Sequence, residues 1–253
     1  VRVVRGELGR VEFRDCLEGL REVEDQSYDL CLTDPPYNIN YRGSNFKTHL
    51  TPGGHTIGER AWYDDAMPEG QYRDWCREWF GEVQRVSRLQ IISPGLRNVA
   101  WWLAEYPGAE MLFVLNRCAL PGSGVAFLAW TRPWLCWGRF SQAYLSNTID
   151  ITSDWGRDRS RIAREGQPLK HPTPKIYELG LKILEPLVQK LGVESVLDPF
   201  MGSGWAAEVC EALGVRYLGF ELREEYAPDV RLRIARGVRR RRCTLDRFVK
   251  VKE

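Results

Sequence analysis

Two short stretches of this chain carry residue types that do chemistry. One is Asp34-Pro35-Pro36-Tyr37, directly after the apolar run YDLCLT (28–33). It sets a carboxylate, a stiff backbone and an aromatic ring at the end of a strand-length segment. Two prolines fix the backbone and remove N–H donors, so carbonyls there can point into a site instead of along a ladder. Prolines also end strands in ordinary turns, and that is the competing reading. The other stretch is LDPFMGSGWAAEVCEALGVRYLGFEL (197–222): a strand, a glycine-containing turn, a helix and a second strand running into Glu221. Gly202 and Gly204 allow a tight turn and close approach of a ligand to a helix N-terminus. Glu221 lies 17 positions beyond Gly204, where a carboxylate accepts hydrogen bonds from both ribose hydroxyls of a nucleoside. GSG lacks the third glycine of the dinucleotide fingerprint, which makes a nicotinamide cofactor the weaker choice.

Strands and helices must position these residues. RVEFRDC (10–16) alternates like a strand, LEGLREV (17–23) gives a short helical turn, and YDLCLT is a strand that stops at the prolines. Residues 38–66 read as a long loop, most broken at TPGGHTIG (51–58); loops of this length are functional or mobile. Tyr72, Trp75, Cys76, Trp79, Phe80 and Val83 repeat at helical spacing and predict a helix over 69–86 whose aromatic residues face the core. LQIIS (89–93) and MLFVLN (111–116) read as strands around a helix near 96–105. VAFLAW (125–130) and WLCWG (134–138) read as a pair of antiparallel edge strands. Periodicity fades from Arg139 to Pro168, which predicts an insertion outside the main core. A helix over 175–191, the strand SVLDPF (195–200), a helix near 203–213, the strand RYLGFEL (216–222) and a final helix follow. The order predicts an α/β fold, a mainly parallel sheet with helices on both faces. Ligands of such sheets bind at the carboxyl ends of the strands, where both motifs fall.

Composition narrows the class. The chain has 253 residues, 43% of them hydrophobic, and a formal net charge of +2, which suits one domain with an insertion. Of 36 basic residues 7 are lysine and 29 arginine, a bias that favours phosphate contacts or reflects base composition. Seven cysteines at 16, 31, 76, 118, 136, 210 and 243 show no CxxC spacing, and His49, His55 and His171 are dispersed. Reduced thiols and no metal are therefore expected. VRVVRGELGR lacks the apolar segment of a signal peptide and no run approaches a membrane span, so the expectation is a cytoplasmic protein of a prokaryote or phage, with no membrane partner.

With both motifs in this order, the sequence resembles the S-adenosylmethionine-dependent DNA amino-methyltransferases and, within them, the permuted β group. DPPY (34–37) matches the family's catalytic motif, DPFMGSG (198–204) its cofactor loop, and HPTPK (171–175) the segment that precedes that loop. The resemblance spans about residues 10–236 and places the catalytic motif before the cofactor loop; related protein-glutamine and RNA enzymes place it after. It implies a Rossmann-like methyltransferase with circularly permuted motif order. An exocyclic amine is a poor nucleophile because its lone pair is delocalised into the ring. By resemblance, the Asp34 carboxylate and the Pro35 carbonyl each accept one amino proton and aim that lone pair, while Pro36 fixes the backbone. Tyr37 stacks on a base rotated out of the duplex.

The resemblance further assigns Asp15, His171, Lys175, Asp198, Phe200, Gly202, Ser203, Gly204 and Glu221 to S-adenosylmethionine. Asp15 also reads as a turn acid, Phe200 as core, and Asn38 as a cap after the motif. Trp205, in place of a small hydroxyl residue, Ile176, in place of proline, and RVSRLQIIS (85–93), without a glycine turn, depart from the family pattern.

DNA is the implied partner. Arg42, Lys47 and Arg60 would close over it, and the short 139–168 segment would recognise the target through Arg157, Arg159, Arg161 and Arg164. RLRIARGVRRRR (231–242) is a second basic cluster, a phosphate contact or a solvated tail. This divides the chain into a catalytic half (1–138), a recognition insertion (139–168), a cofactor half (169–237) and a basic tail (238–253). A homodimer is expected by analogy alone. Asp at the first motif position favours the N6 amine of adenine. The N4 amine of cytosine is the alternative, and a catalytically silent DNA-binding subunit a further one.

Overall fold

The computed structural model describes residues 1–39, 66–116, 131–140, 147–151, 169–171 and 173–250. In chain order these form β1 (Arg2–Arg5), β2 (Gly9–Phe13), α1 (Cys16–Arg21), β3 (Tyr28–Thr33), α2 (Glu69–Val86), β4 (Ser87–Ile92), α3 (Val99–Glu105), β5 (Glu110–Asn116), β6 (Thr131–Trp137), β7 (Thr148–Ile151), α4 (Tyr177–Leu191), β8 (Ser195–Asp198), α5 (Trp205–Leu213), β9 (Arg216–Phe220) and α6 (Ala227–Lys250). Single 3₁₀ turns, Leu96–Asn98 and Glu224–Tyr226, lead into α3 and α6.

The strands make one sheet in the order β1-β2-β9-β8-β3-β4-β6-β5-β7. Its centre is parallel: β2 with β9, β9 with β8, β8 with β3, and β3 with β4. Apolar runs such as Leu30-Cys31-Leu32 suit that centre because both faces are covered. One face packs under α4, α5 and α6 through Leu30, Leu32, Ile91, Ile183, Leu187 and Val209. The other packs under α1, α2 and α3 through Leu20, Cys31, Trp79, Phe80, Trp102 and Leu197. α2 reaches that face because its helical repeat buries Tyr72, Cys76, Trp79, Phe80 and Val83 on one side. Its aromatic residues are core, with Trp79 and Phe80 edge-on at 5.7 Å. Trp205 is core as well, packed 6.2 Å from Trp134 and against Gly180, where a Cβ would come within 2.6 Å of its ring.

Three expectations need correction. WLCWG belongs to β6, which hydrogen-bonds to β4 on one side and β5 on the other, so it is internal and not an edge. Burial of Trp134, Leu135, Cys136 and Trp137 on both faces demands that position; its expected partner at 125–130 lies outside the described residues. The polar 139–168 segment is not wholly an insertion: Thr148–Ile151 adds β7 parallel to β5, with Ile149 and Ile151 buried. The expected final helix runs on through the basic cluster, since α6 continues to Lys250 where a tail from 238 was expected, and several of its arginines pair within the chain. Arg233 pairs with Glu208 at 2.9 Å, both 1% exposed, while Arg240 reaches Glu208 and Arg241 and Arg242 reach Glu7. β1, antiparallel to β2, adds an edge that the sequence pattern does not signal.

Candidate active site

Asp34 leaves the carboxyl end of β3, and the loop that follows is held from three sides. Its backbone is tied to α2 and to the turn after β4: Tyr72 Oη donates to the Pro36 carbonyl at 2.9 Å, and Asn98 Nδ2 donates to the Tyr37 carbonyl at 2.9 Å. Asn38, at φ 55°, exchanges hydrogen bonds with the Met67 backbone, Nδ2 to O at 3.0 Å and N to Oδ1 at 2.7 Å. Among the described residues no donor meets the Pro35 carbonyl, so it keeps both lone pairs. Gly95, at φ 71°, lets the Tyr37 ring lie on the backbone; a Cβ there would meet that ring at 2.8 Å.

The Asp34 carboxylate is met by two donors. Tyr37 Oη donates to Oδ1 and Lys175 Nζ to Oδ2. Tyr37 Oη also lies 2.7 Å from Ser93 Oγ. Burial alone would raise the Asp34 carboxyl, but Lys175 and these hydrogen bonds hold it below its ordinary value, so it stays ionised. Burial and the Asp34 charge push the Tyr37 hydroxyl well above its ordinary value, so it remains a proton donor.

The glycine loop leaves β8, the strand beside β3. Thr33 Oγ1 donates to Asp198 Oδ1 at 2.6 Å, joining the ends of the two strands. Asp198 also accepts from the Phe200 N–H at 3.0 Å, and its Oδ2 is buried with no hydrogen-bond partner among the described residues. Burial first, then the charges of Asp34 and Glu221, push this carboxyl up to about 7 despite the Thr33 and Phe200 hydrogen bonds. Gly202 has φ 53°, and a Cβ there would lie 2.9 Å from His171 Nε2. The Glu221 carboxylate accepts the Gly202 N–H at 2.8 Å through Oε2 and the Arg223 N–H at 2.8 Å through Oε1, leaving a second lone pair on each oxygen. Burial raises its pKa.

The segment carrying His171 and Lys175 is held from α6. Asp229 Oδ2 accepts the His171 N–H at 2.9 Å, and Arg233 Nη2 donates to the Lys175 carbonyl at 2.7 Å. Burial, then Lys175, lowers His171 to about 3. The ring is thus neutral at physiological pH; Nδ1 accepts the Thr173 N–H at 3.3 Å, so the proton sits on Nε2, which faces Gly202.

The structure therefore gathers Asp34 to Tyr37, Lys175, His171, Asp198, Gly202 and Glu221 at one end of the central strands. Asp15 caps α1, accepting the N–H groups of Leu17 and Glu18 at 2.9 and 3.2 Å. Phe200 is edge-on to Trp79 at 5.0 Å and only partly buried. Ser203 is buried, and Gly204, at φ 87°, begins α5. Arg42, Lys47, Arg60, Arg157, Arg159, Arg161 and Arg164 lie outside the described residues. Among the described residues no cluster of three His, Cys, Asp or Glu could hold a metal, and no helix is long and apolar enough to cross a membrane. Sequence reasoning missed Tyr72, Ser93, Asn98, Thr33, Asp229 and Arg233. The Ser93-Pro94-Gly95 break after an apolar run was the one local signal for any of them.

Comparison with known proteins fits this geometry. The DNA methylase family model matches residues 129–231. Type II methyltransferase M.BamHI of Bacillus amyloliquefaciens is 24% identical over 257 residues, covering 85% of this chain and 55% of the relative. Type II methyltransferase M.HinfI of Haemophilus influenzae is 24% identical over 240 residues, covering 84% and 64%. The chain thus spans between half and two thirds of the length of these relatives. Among solved structures, the cytosine-N4-specific PvuII DNA methyltransferase superposes with a TM-score of 0.60 at 17% identity, covering 90% of this chain and 86% of that one. The complex of M1.HpyAVI with S-adenosylmethionine gives 0.54 at 17% identity, covering 90% and 99%. The fold is that of a class I methyltransferase. Over residues 129–231 the chain matches the DNA methylase family model, and over most of its length it is similar to type II DNA methyltransferases.

Proposed function

We propose that this protein transfers a methyl group from S-adenosylmethionine to an exocyclic amine of DNA, with the N6 amine of adenine as the target. The observation that carries the reading is the join between β3 and β8: Thr33 Oγ1 bonds Asp198 Oδ1 at 2.6 Å. It sets the amine cradle and the glycine loop one inter-strand spacing apart, about 5 Å.

The residues present fit the cofactor. Gly202 offers a surface that a Cβ would fill, Glu221 has lone pairs for ribose hydroxyls, and Asp198 Oδ2 is a buried acceptor awaiting a donor. Bound there, S-adenosylmethionine would supply an electrophilic methyl group. Asp15, His171, Lys175, Phe200, Ser203 and Gly204 complete the proposed cofactor set. Asp34 and the Pro35 carbonyl take the two amino protons of the target as hydrogen bonds, and the depressed Asp34 pKa makes that carboxylate an orienting group more than a base. Tyr37 lines a cleft of about 370 Å³ with Ile39, Pro133 and Leu96, which gives apolar walls for an extrahelical base.

The motif order, 34–37 before 198–204, supports the permuted β arrangement, with catalytic and cofactor halves of one domain. Recognition falls to the remainder of 139–168 and to Arg42, Lys47 and Arg60, and a homodimer is proposed by analogy. Nucleoside mass analysis of unmethylated DNA incubated with the protein and S-adenosylmethionine tests the reading. N6-methyladenine supports it, N4-methylcytosine keeps the mechanism and changes the base, and no methylated nucleoside contradicts it.

A further inference from the structure

We infer that Arg97 and Arg132 form a clamp for the DNA phosphates that flank the nucleotide entering the cleft beside Tyr37. The inference rests on the DNA reading above and adds a binding site to it. Both arginines line that cleft, together with Tyr37, Ser93, Asn98, Leu96, Ile39 and Pro133. Both are exposed, and among the described residues neither side chain has an ion pair or a hydrogen bond. That sets them apart from Arg73, Arg77 and Arg85 on α2, each held by a carboxylate.

Their placement follows from the sheet. In β6, Trp134 and Cys136 face the side covered by α4, α5 and α6, as Leu30 and Leu32 of β3 and Leu89 and Ile91 of β4 do. Alternation puts Arg132, Ser93 and Asp34 on that same side at the same end. Arg97 approaches from the turn after Gly95, on whose backbone the Tyr37 ring lies. The positive charge of Arg132 is felt at the Tyr37 hydroxyl.

Among the described residues, the charged groups lining the cleft are two guanidiniums, with no carboxylate. A guanidinium carries only donors, in a fork that matches two phosphate oxygens. A nucleotide whose base enters an apolar-walled cleft leaves its phosphodiesters at the rim, where exposed guanidiniums meet them without desolvating a buried charge. Asn98 cannot serve the ligand in this way, since its amide is already spent on the carbonyls of Tyr37 and Pro94.

The test is equilibrium binding of a fluorescein-labelled, mixed-sequence single-stranded oligonucleotide, with S-adenosylmethionine present, across a KCl series. On a single strand, the slope of log K against log salt falls by about 0.7 for each phosphate the protein no longer neutralises. Arg97→Gln and Arg132→Gln should each flatten it by that amount and weaken binding. Arg132→Lys should restore the slope, because it keeps the charge, while binding stays weaker than wild type. Arg5→Gln, an equal loss of charge on β1 at the far side of the sheet, should leave the slope unchanged. Cofactor affinity, measured in parallel, reports folding. An unchanged slope in both glutamine variants, or a slope equally altered by Arg5→Gln, overturns the clamp. A changed choice of methylated base with an unchanged slope also overturns it, because the arginines would then read a base edge. Absence of methyl transfer by the wild-type protein would sink the enzyme reading, and the slopes would still decide the clamp.

Discussion

The Lys175 ammonium pairs with the Asp34 carboxylate from 141 residues further along the chain. One contact thus joins the segment in front of the glycine loop to the Asp34–Tyr37 stretch, and its charge favours the ionised form of Asp34. A buried aspartate without this partner would favour its neutral form.

Replacing that partner should show in the pH profile. If Asp34 orients the amine as proposed it acts ionised, so activity should be lost as pH falls through its depressed pKa. In Lys175→Met burial is no longer opposed by that charge, and the acid limb of kcat/KM against pH should move up by about one to three pH units. A limb that stays in place would show that Lys175 does not set the Asp34 charge.

Asp198 gives the opposite sign. Its folded pKa, pushed up to about 7 by burial, lies above the unfolded value of about 3.9. Between those values the native state holds a proton that the unfolded chain has released, so stability falls as pH rises through the window and levels off above it. Asp198→Asn should remove this slope. Urea unfolding at about pH 4.5 and about pH 8 should then show a smaller difference in the variant than in the wild type.

The pair between Arg233 and Glu208 is buried on both sides. Arg233→Met should cost about 3–5 kcal/mol in denaturant unfolding, because Glu208 keeps only the more distant Arg240. It also frees the Lys175 carbonyl. Arg233→Met with Glu208→Leu should recover most of the stability and not the activity, since the tether to Lys175 is still missing.

Gly202 and Gly214 separate strain from ligand contact. Both have positive φ, 53° and 80°, but a Cβ meets His171 Nε2 at Gly202 and nothing within 4 Å at Gly214. Gly202→Ala should weaken S-adenosylmethionine binding at least about tenfold, or about 1.4 kcal/mol by calorimetry. Gly214→Ala should cost about 1 kcal/mol of stability and leave cofactor affinity unchanged.

Local patterns were legible where local rules decide structure. The apolar run ending at Asp34 is β3 and the repeat from Tyr72 to Val83 is α2, because spacing alone selects the buried face. The two motifs were legible because strand-end chemistry needs specific residues at a fixed spacing. What supports them was not. Tyr72 looked like one more core aromatic, and only the fold brings its hydroxyl to the Pro36 carbonyl. The arginines of 231–242 read as a phosphate contact or a solvated tail, but Arg233, Arg241 and Arg242 meet carboxylates of α5 and of the β1–β2 turn, partners that the sequence does not place. Position in the sheet is tertiary too: WLCWG reads as an apolar run that could lie at an edge, and only pairing with β4 and β5 makes β6 internal.

The most direct test of the amine cradle is transfer of a labelled methyl group from S-adenosylmethionine to unmethylated DNA, by wild-type protein and by Asp34→Ala, with cofactor affinity measured on both. The wild type should transfer the label, and the variant should be slower by at least about 100-fold with cofactor still bound. Equal rates in the two proteins, or cofactor and DNA binding by the wild type with no transfer, would contradict the role of Asp34 in catalysis.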